Sequence, residues 1–426
     1  MRITVLTVGT NGDVEPMIAL ATGLVEQGVD IRMATHMNYR ASCIERGMSF
    51  YPMPGDTRAF YETDEGRAFR EPGRGIRSIA GFYGKALPYF TAQLARAITY
   101  CIDSSDKVIL DYSMAWAAPF AHQRQIPAAV ASIFPSLPTR TLPPLWQPGW
   151  SRFGPVGQRF GHWAVDALNR LGSGPMVQIM GAEAERLGLP IQSSRQSLRR
   201  LRALPTVVGV SPAVIPQPPD WPQQARVVGY WRLPADGSWQ PPHEVRQFLE
   251  GGDAPIAVGF SSVVAPDPRA LARTVVEAAR RAGQRVLLLS GWGAFDPDSV
   301  RGDDVLVVDR LPHDWLLPRV RAFVHHGGVG SSAAAYRAGV PQVVVPFCLD
   351  QPFWGYRALA LGVAPASIPI QDLKVESLAR AIGNAVDEPR YRTRAQELAD
   401  SIAHDDGVRT GADFLIDHLL GSRAAA

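Results

Sequence analysis

The chain opens on a short apolar run, Ile3–Val8, whose unbroken hydrophobicity and β-branched residues predict a strand buried on both faces. A polar turn, Gly9-Thr10-Asn11-Gly12-Asp13, follows. Met17, Leu20, Ala21, Leu24 and Val25 then recur at i, i+3, i+4, i+7 and i+8, the spacing of a helix with one apolar face. Pro16 falls in its first turn, where a missing N–H costs nothing, and Gly28 closes it. Ile31–Thr35 predicts a second strand, so the chain begins as a βαβ unit.

The alternation then loosens. Residues 54–105 are rich in Gly, Arg and aromatics and residues 134–185 in Pro, Trp and Phe, with strands predicted between them at Lys107–Leu110 and Ala128–Phe134. From 205 to 242 come Pro212, Pro216, Pro218, Pro219, Pro222, Pro234, Pro241 and Pro242. Such a density removes backbone donors and favours an extended connection. Beyond it the alternation returns, with strands predicted at Ile256–Phe260, Arg285–Ser290, Val305–Val308, Ala322–His325 and Gln342–Pro346. Helical patterns fill 267–282, 312–318, 331–338, 351–361, 375–387 and 391–403. The expected fold is α/β: two Rossmann-like domains facing a cleft, over 1–212 and 241–408, joined by a proline-rich linker over 213–240. A C-terminal helix and tail over 409–426 is expected to pack back on the first domain.

Composition narrows the class. A chain of 426 residues suits two or three domains, and 46% apolar with 19% charged residues is enough to build their cores. Forty-three basic against 40 acidic residues, a net charge of +3, excludes a polybasic nucleic-acid binder. Cys43, Cys101 and Cys348 are odd in number and scattered, which supports neither a disulfide framework nor a zinc site and makes a reducing cytoplasm the expected compartment. No apolar run reaches the ~18 residues of a membrane span, and the first run is too short for a signal peptide. Peripheral contact with a membrane is left open, and so is the oligomeric state.

Chemistry concentrates in Phe323-Val324-His325-His326-Gly327-Gly328-Val329-Gly330-Ser331-Ser332, which follows a predicted strand and opens a helix. Small residues there turn backbone N–H groups and the helix dipole toward an anion, as a phosphate site requires. His326 stands at the mouth of that turn, and Ser331 adds a hydroxyl. About twenty residues on, Asp350 and Gln351 follow another strand end, on the same carboxyl edge of the sheet. A carboxylate beside an amide suits neighbouring sugar hydroxyls.

The run from Leu311 to Gly355, with Pro312-His313-Asp314-Trp315-Leu316 and Asp350-Gln351-Pro352-Phe353-Trp354-Gly355, resembles the nucleotide-sugar signature of family 1 glycosyltransferases with the GT-B fold. The resemblance is to the bacterial and fungal branch, sterol glucosyltransferases above all, and to the glycopeptide and polyketide antibiotic enzymes. The opening loop, Gly9 to Pro16, resembles that family's first loop. The resemblance implies an inverting hexosyl transfer, with glucose from UDP-glucose as the first expectation and dTDP as the alternative carrier. The acceptor would be an apolar small molecule bearing a hydroxyl; no metal or other cofactor is required, and no nucleic acid takes part.

The same resemblance implies residue roles. His326 and Ser331 would bind the diphosphate in the turn made by Gly328 and Gly330, with His325 beside them. Ser261 and Ser262 match the serine position at the distal phosphate. Leu311 would offer its backbone to the base, and Arg310 stands where plant members carry a tryptophan; a guanidinium can stack on a base. Asp13 stands where plant members place a catalytic histidine, and Asp111 where they place its partner aspartate. Beside these roles, Asn11, Trp146 and Trp354 are assigned to the acceptor side, and the aromatic residues Trp150, Phe153, Phe160 and Trp163 themselves suggest further apolar walls, with ordinary core packing as the plainer role for some of them. Plainer roles stay open: Asp13 as a helix cap, Asp111 as a strand-end turn residue, His325 as a satisfied buried histidine and Trp354 as packing.

Other classes fit less well. A dinucleotide-dependent dehydrogenase needs GxGxxG after its first strand, and Gly9-Thr10-Asn11-Gly12 lacks that spacing. A pyridoxal-dependent phosphorylase needs a cleft lysine, and the only lysine of the C-terminal half is Lys374. A catalytically silent auxiliary protein with the same fold is the non-enzymatic alternative.

Overall fold

A computed structural model of the chain describes residues 1–55, 87–172, 194–233, 239–261 and 267–421, together with 185, 237, 263 and 265. The N-terminal sheet holds seven strands: β1 (Arg2–Leu6), β2 (Asp30–Thr35), β3 (Ser49–Pro52), β4 (Lys107–Asp111), β5 (Ala128–Ser132), β6 (Thr206–Val208) and β7 (Ala225–Val227). Their spatial order is β3-β2-β1-β4-β5-β6-β7, and every pairing is parallel. The second sheet, β8 (Ile256–Gly259), β9 (Val286–Leu289), β10 (Val305–Val308), β11 (Phe323–His325) and β12 (Gln342–Val344), runs in the order β10-β9-β8-β11-β12, again parallel throughout.

Both orders reverse direction once. In the first sheet the reversal lies between β1 and β4; in the second, between β8 and β11. The carboxyl ends of those strands flank the crevice in which open α/β sheets hold ligands. Register fixes what meets there: Leu6 pairs with Leu110, so Thr7 and Asp111 emerge side by side, and His325 pairs with Gly259, so His326 and Ser261 belong to neighbouring loops.

Helices cover the sheets. Those of nine or more residues, among the described residues, are α1 (Asn11–Glu26), α2 (Leu87–Asp103), α3 (Gly154–Gly172), α4 (Pro268–Arg281), α5 (Val329–Arg337), α6 (Gln351–Ala360), α7 (Val375–Asp387), α8 (Pro389–Ile402) and α9 (Gly407–Leu420). The last returns to the first sheet, as expected. Ala412, Leu415, Ile416 and Leu419 of α9 share a core with Met17, Leu20 and Leu24 of α1, and Trp231 Nε1 donates to the Gly407 carbonyl at 3.1 Å. Each buried Leu, Ile or Met side chain among them contributes about 1.5–3 kcal/mol. Among the described residues no helix is long and apolar enough to cross a membrane.

Three strands differ from the sequence expectation. β3, β6 and β7 were not among the predicted strands, and β7 lies inside the stretch read as a linker. Pro218, Pro219 and Pro222 precede β7, which pairs on one side only; an edge strand tolerates the donors that proline removes.

Candidate active site

Two sharp turns build the N-terminal wall. Gly9 adopts φ +144°, and any Cβ there would overlap the Asp13 carboxylate. Its N–H donates to Nε2 of the buried His36 at 3.3 Å, which braces the turn from the end of β2. Thr10 then donates its N–H (2.8 Å) and its hydroxyl (3.1 Å) to Asp13 Oδ2. The carboxylate therefore folds back over the start of α1 and both caps the helix and faces the cleft. Burial raises its pKa, against the lowering effect of the two Thr10 bonds.

Asp111, at the end of β4, is 4% exposed. Its Oδ2 accepts from Thr7 Oγ1 at 3.1 Å and from Ser113 Oγ at 2.6 Å. Burial first, and then the charge of Asp13, push its pKa up to about 7. The charge of Asp13 thus acts on Asp111; the sequence had suggested that each could raise the other. Asn11 Oδ1 accepts from the Tyr39 hydroxyl at 2.7 Å on the same rim, and Trp146 is half-buried.

The opposite wall comes from the second sheet. Helix α5 starts at Val329 with Gly328 as its N-cap residue, so its first-turn N–H groups point into the crevice. Ser331 is buried in that turn, while Gly330 is exposed with open space where a Cβ would stand. His326 is 7% exposed, and its Nδ1 is buried without a partner in the protein, as is Ser332 Oγ. Burial, then His325 and His313, hold the His326 pKa down at about 3, so the ring is a neutral donor at physiological pH. A buried polar atom with no partner inside the protein is uncommon and fits a contact made by a bound anion.

His325 is corrected. Its Nδ1 accepts the Gly327 N–H at 3.1 Å and its Nε2 meets Gln342 Oε1 at 3.0 Å, within a fully buried setting. Both ring nitrogens are spent on shaping the turn, leaving none for a donor.

Asp350 is the N-cap residue of α6, yet its side chain caps no helix N–H. Trp354 Nε1 donates instead to Asp350 Oδ2 at 2.8 Å. Burial raises the Asp350 pKa to about 6, and the charge of Asp13 adds to this, so Asp350 and Asp13 face each other across the cleft. Leu349, just before it, holds φ +56°, strained backbone for a side-chain-bearing residue. Gln351 is buried; its Oε1 accepts from the Phe347 and Cys348 N–H groups at 2.7 and 3.1 Å, and its amide nitrogen donates to Cys348 Sγ at 3.9 Å, which leaves that nitrogen's second N–H to turn toward a sugar. Trp354 is also corrected: at 1% exposure, with its N–H held by Asp350, it touches no acceptor and acts on the carboxylate instead.

Ser261, in the loop after β8, holds φ +53° and its carbonyl accepts from Trp292 N–H at 3.1 Å. Ser262 lies outside the described residues. Leu311 is buried in the second domain's core; Arg310 is exposed, and its charge acts on Glu15 of α1 across the cleft. The aromatic walls are corrected as well: Phe153, Phe160 and Trp163 are half exposed or more rather than enclosing a pocket. Among the described residues no three His, Cys, Asp or Glu gather where a metal ion would fit.

His36, which the sequence offers as an acceptor-cleft or plain loop histidine, instead braces the Gly9 turn; Thr7, Thr10, Ser113 and Tyr39 also set this geometry and were not assigned roles from the sequence. Only Thr10 had a legible signal, since Thr-x-x-Asp before an apolar helix has the spacing of a capping box.

Residues 3–143 match the glycosyltransferase family 28 N-terminal domain, and residues 296–407 the erythromycin biosynthesis protein CIII-like C-terminal domain. A sterol 3-beta-glucosyltransferase of Arabidopsis thaliana is 33% identical over 99% of the chain, which spans 66% of that protein's length. The O-mycaminosyltylonolide 6-deoxyallosyltransferase of Streptomyces fradiae is 32% identical over the whole chain and 99% of its own length. Among solved structures, the glycosyltransferase of kitacinnamycin superposes with TM-score 0.70 at 20% identity, covering 98% of this chain and 99% of that one. The glycosyltransferase VinC, solved in complex with dTDP, superposes at 0.64 and 18%, covering 99% and 100%. Two parallel sheets facing a cleft, both domain matches and full-length identity above 30% agree: the chain belongs to the GT-B glycosyltransferase family that contains the sterol 3-beta-glucosyltransferases and the macrolide glycosyltransferases.

Proposed function

We propose that the protein transfers a hexose, glucose in the first instance, from a nucleoside diphosphate to a hydroxyl of an apolar small molecule, with inversion at the anomeric carbon. The observation that carries this reading is electrostatic: Asp13 raises the pKa of both Asp111, from its own sheet, and Asp350, from the opposite one. Three carboxylates from three loops thus converge on one cleft whose far wall is a helix N-terminus. The acceptor hydroxyl attacks the anomeric carbon and gives its proton to Asp13, while the bond to the diphosphate breaks on the opposite face. The charge developing on the diphosphate meets the α5 N-terminus, the neutral His326 and the hydroxyl of Ser331, with no metal in the step. Asp350 and the amide nitrogen of Gln351 take the sugar hydroxyls. Arg310 and Leu311 attend the base, and Ser261 the distal phosphate.

UDP is the expected carrier; a relative in fold that binds dTDP supports thymidine as the alternative. Relatives named for a sterol and for O-mycaminosyltylonolide support an apolar acceptor. The buried free thiols of Cys43 and Cys101 suit a reducing cytoplasm.

The test is nucleoside diphosphate release from UDP- and dTDP-sugars against a panel of sterols, macrolide aglycones and lipid alcohols, with product configuration read by NMR. A β-linked product from an α-donor is expected. Retention of configuration, or release that no acceptor accelerates, would overturn the reading.

A further inference from the structure

Helix α3 and the turn before it carry an aromatic ladder on the protein surface. Trp150 lies against Phe153 and Phe160, with ring centroids 5.8 and 5.4 Å apart, and Phe160 against Trp163 at 5.3 Å. Val156, Phe160 and Trp163 follow one another at four- and three-residue steps on one face of α3, and Phe153, in the turn before the helix, lies over Gly157. Their exposures are 61, 81, 50 and 58%. Scattered apolar surface is ordinary, but a contiguous exposed patch of this kind marks an interaction site.

Charge says what covers it. Arg152 and Arg159 are exposed beside the ladder, and the Arg152 guanidinium sits 5.5 Å from the Phe153 ring centre. Between 148 and 167 the one carboxylate is Asp166, which Arg202 holds at 2.5 Å. Along 148–167 the exposed side chains are therefore aromatic, aliphatic and cationic. Aromatic rings at headgroup depth beside arginines facing phosphates are the pattern of a helix lying in an anionic bilayer surface. The ladder also begins beside the cleft, because the Pro148–Phe153 turn packs against α6, the helix that starts next to Asp350.

We propose that this face docks the protein on an anionic phospholipid surface. A consequence, that a lipophilic acceptor enters the cleft from the bilayer, rests on the transfer reading above; the docking itself does not.

The full chain is sedimented with vesicles of phosphatidylcholine alone and of phosphatidylcholine with phosphatidylglycerol. Wild type is expected to bind the anionic vesicles more strongly. Phe160→Gln with Trp163→Gln should weaken that binding at least tenfold. Arg152→Gln with Arg159→Gln should remove the preference for phosphatidylglycerol, a change of about thirtyfold if each arginine contributes ~1 kcal/mol. Unchanged thermal midpoints confirm that these surface variants fold. Absence of wild-type binding, or binding as strong as wild type by both double variants, overturns the proposal. So does a concentration-dependent dimer that Phe160→Gln with Trp163→Gln dissolves, since a second copy would then cover the face. Vesicle binding without sugar transfer by the wild type would leave docking standing and remove only the transfer reading.

Discussion

The Trp354 indole N–H donates to Asp350 Oδ2 at 2.8 Å, from a side chain that is 1% exposed. Asp350 occupies a helix N-cap position but spends its carboxylate on this bond rather than on the helix. A wholly buried residue therefore sets the direction of a carboxylate in the cleft. Trp354→Phe keeps the aromatic packing and removes the donor. A hydrogen bond to a charged group is worth about 1.5–3 kcal/mol, so KM for the sugar nucleotide should rise about tenfold or more. Inhibition by the free nucleoside diphosphate should not change, because that ligand lacks the sugar. Equal losses for both ligands would show that Trp354 supports the domain as a whole instead.

Asp13→Asn tests the base. The amide keeps the size of the group and its acceptor oxygen toward Thr10, so the turn built on Gly9 and Thr10 should survive. Removing a general base costs about 10²–10⁴-fold in rate. We expect kcat to fall within that range while calorimetry shows the same donor affinity. Turnover near wild type would transfer the role to another group.

Much of this site was legible before the structure because buried parallel strands write themselves as apolar runs and their ends as motifs. Of the strands that escaped notice, β6 and β7 lie within the proline-dense stretch from 205 to 242. β6 and β7 have three residues each, and β7 is an edge strand set among prolines, so no periodicity marks it. Adjacent histidines were harder to separate. His325 and His326 differ because the first meets Gln342 of β12, whose register with β11 no single sequence reveals. Trp354 follows Asp350 by four residues, about one helical turn, so spacing alone puts the two on one face. Its role was misread because burial, not spacing, decides whether an indole touches a ligand or a neighbour.

Asp111 makes stability depend on pH. Unfolded, its carboxyl titrates at an ordinary value of 3.8; folded, burial and the Asp13 charge carry it to about 7. Between those values the folded chain keeps a proton that the unfolded chain has lost. The stabilisation is therefore full below 3.8 and disappears as pH rises through 7. Asp111→Asn lacks this titration, so its thermal midpoint should exceed that of wild type above pH 7 and converge on it toward pH 4. The difference should be on the order of a few kcal/mol. Calorimetry across that range checks it, and a constant gap would remove the assignment.

Gly328 and His326 form one device, and a double-mutant cycle can show it. Gly328 has φ −63°, which any residue adopts, so its backbone makes no demand for glycine. The demand comes from the His326 ring: a Cβ at 328 would overlap Nε2 and crowd Cε1. Gly328→Ala should therefore displace the imidazole without unwinding α5. Nucleoside diphosphate affinity should fall about tenfold, the worth of roughly one hydrogen bond. His326→Ala should produce a similar loss, and the double variant no more than either single one, because both remove the same contact. Additive losses in titration calorimetry would mean that the alanine methyl blocks the phosphate site directly and that the ring contributes separately.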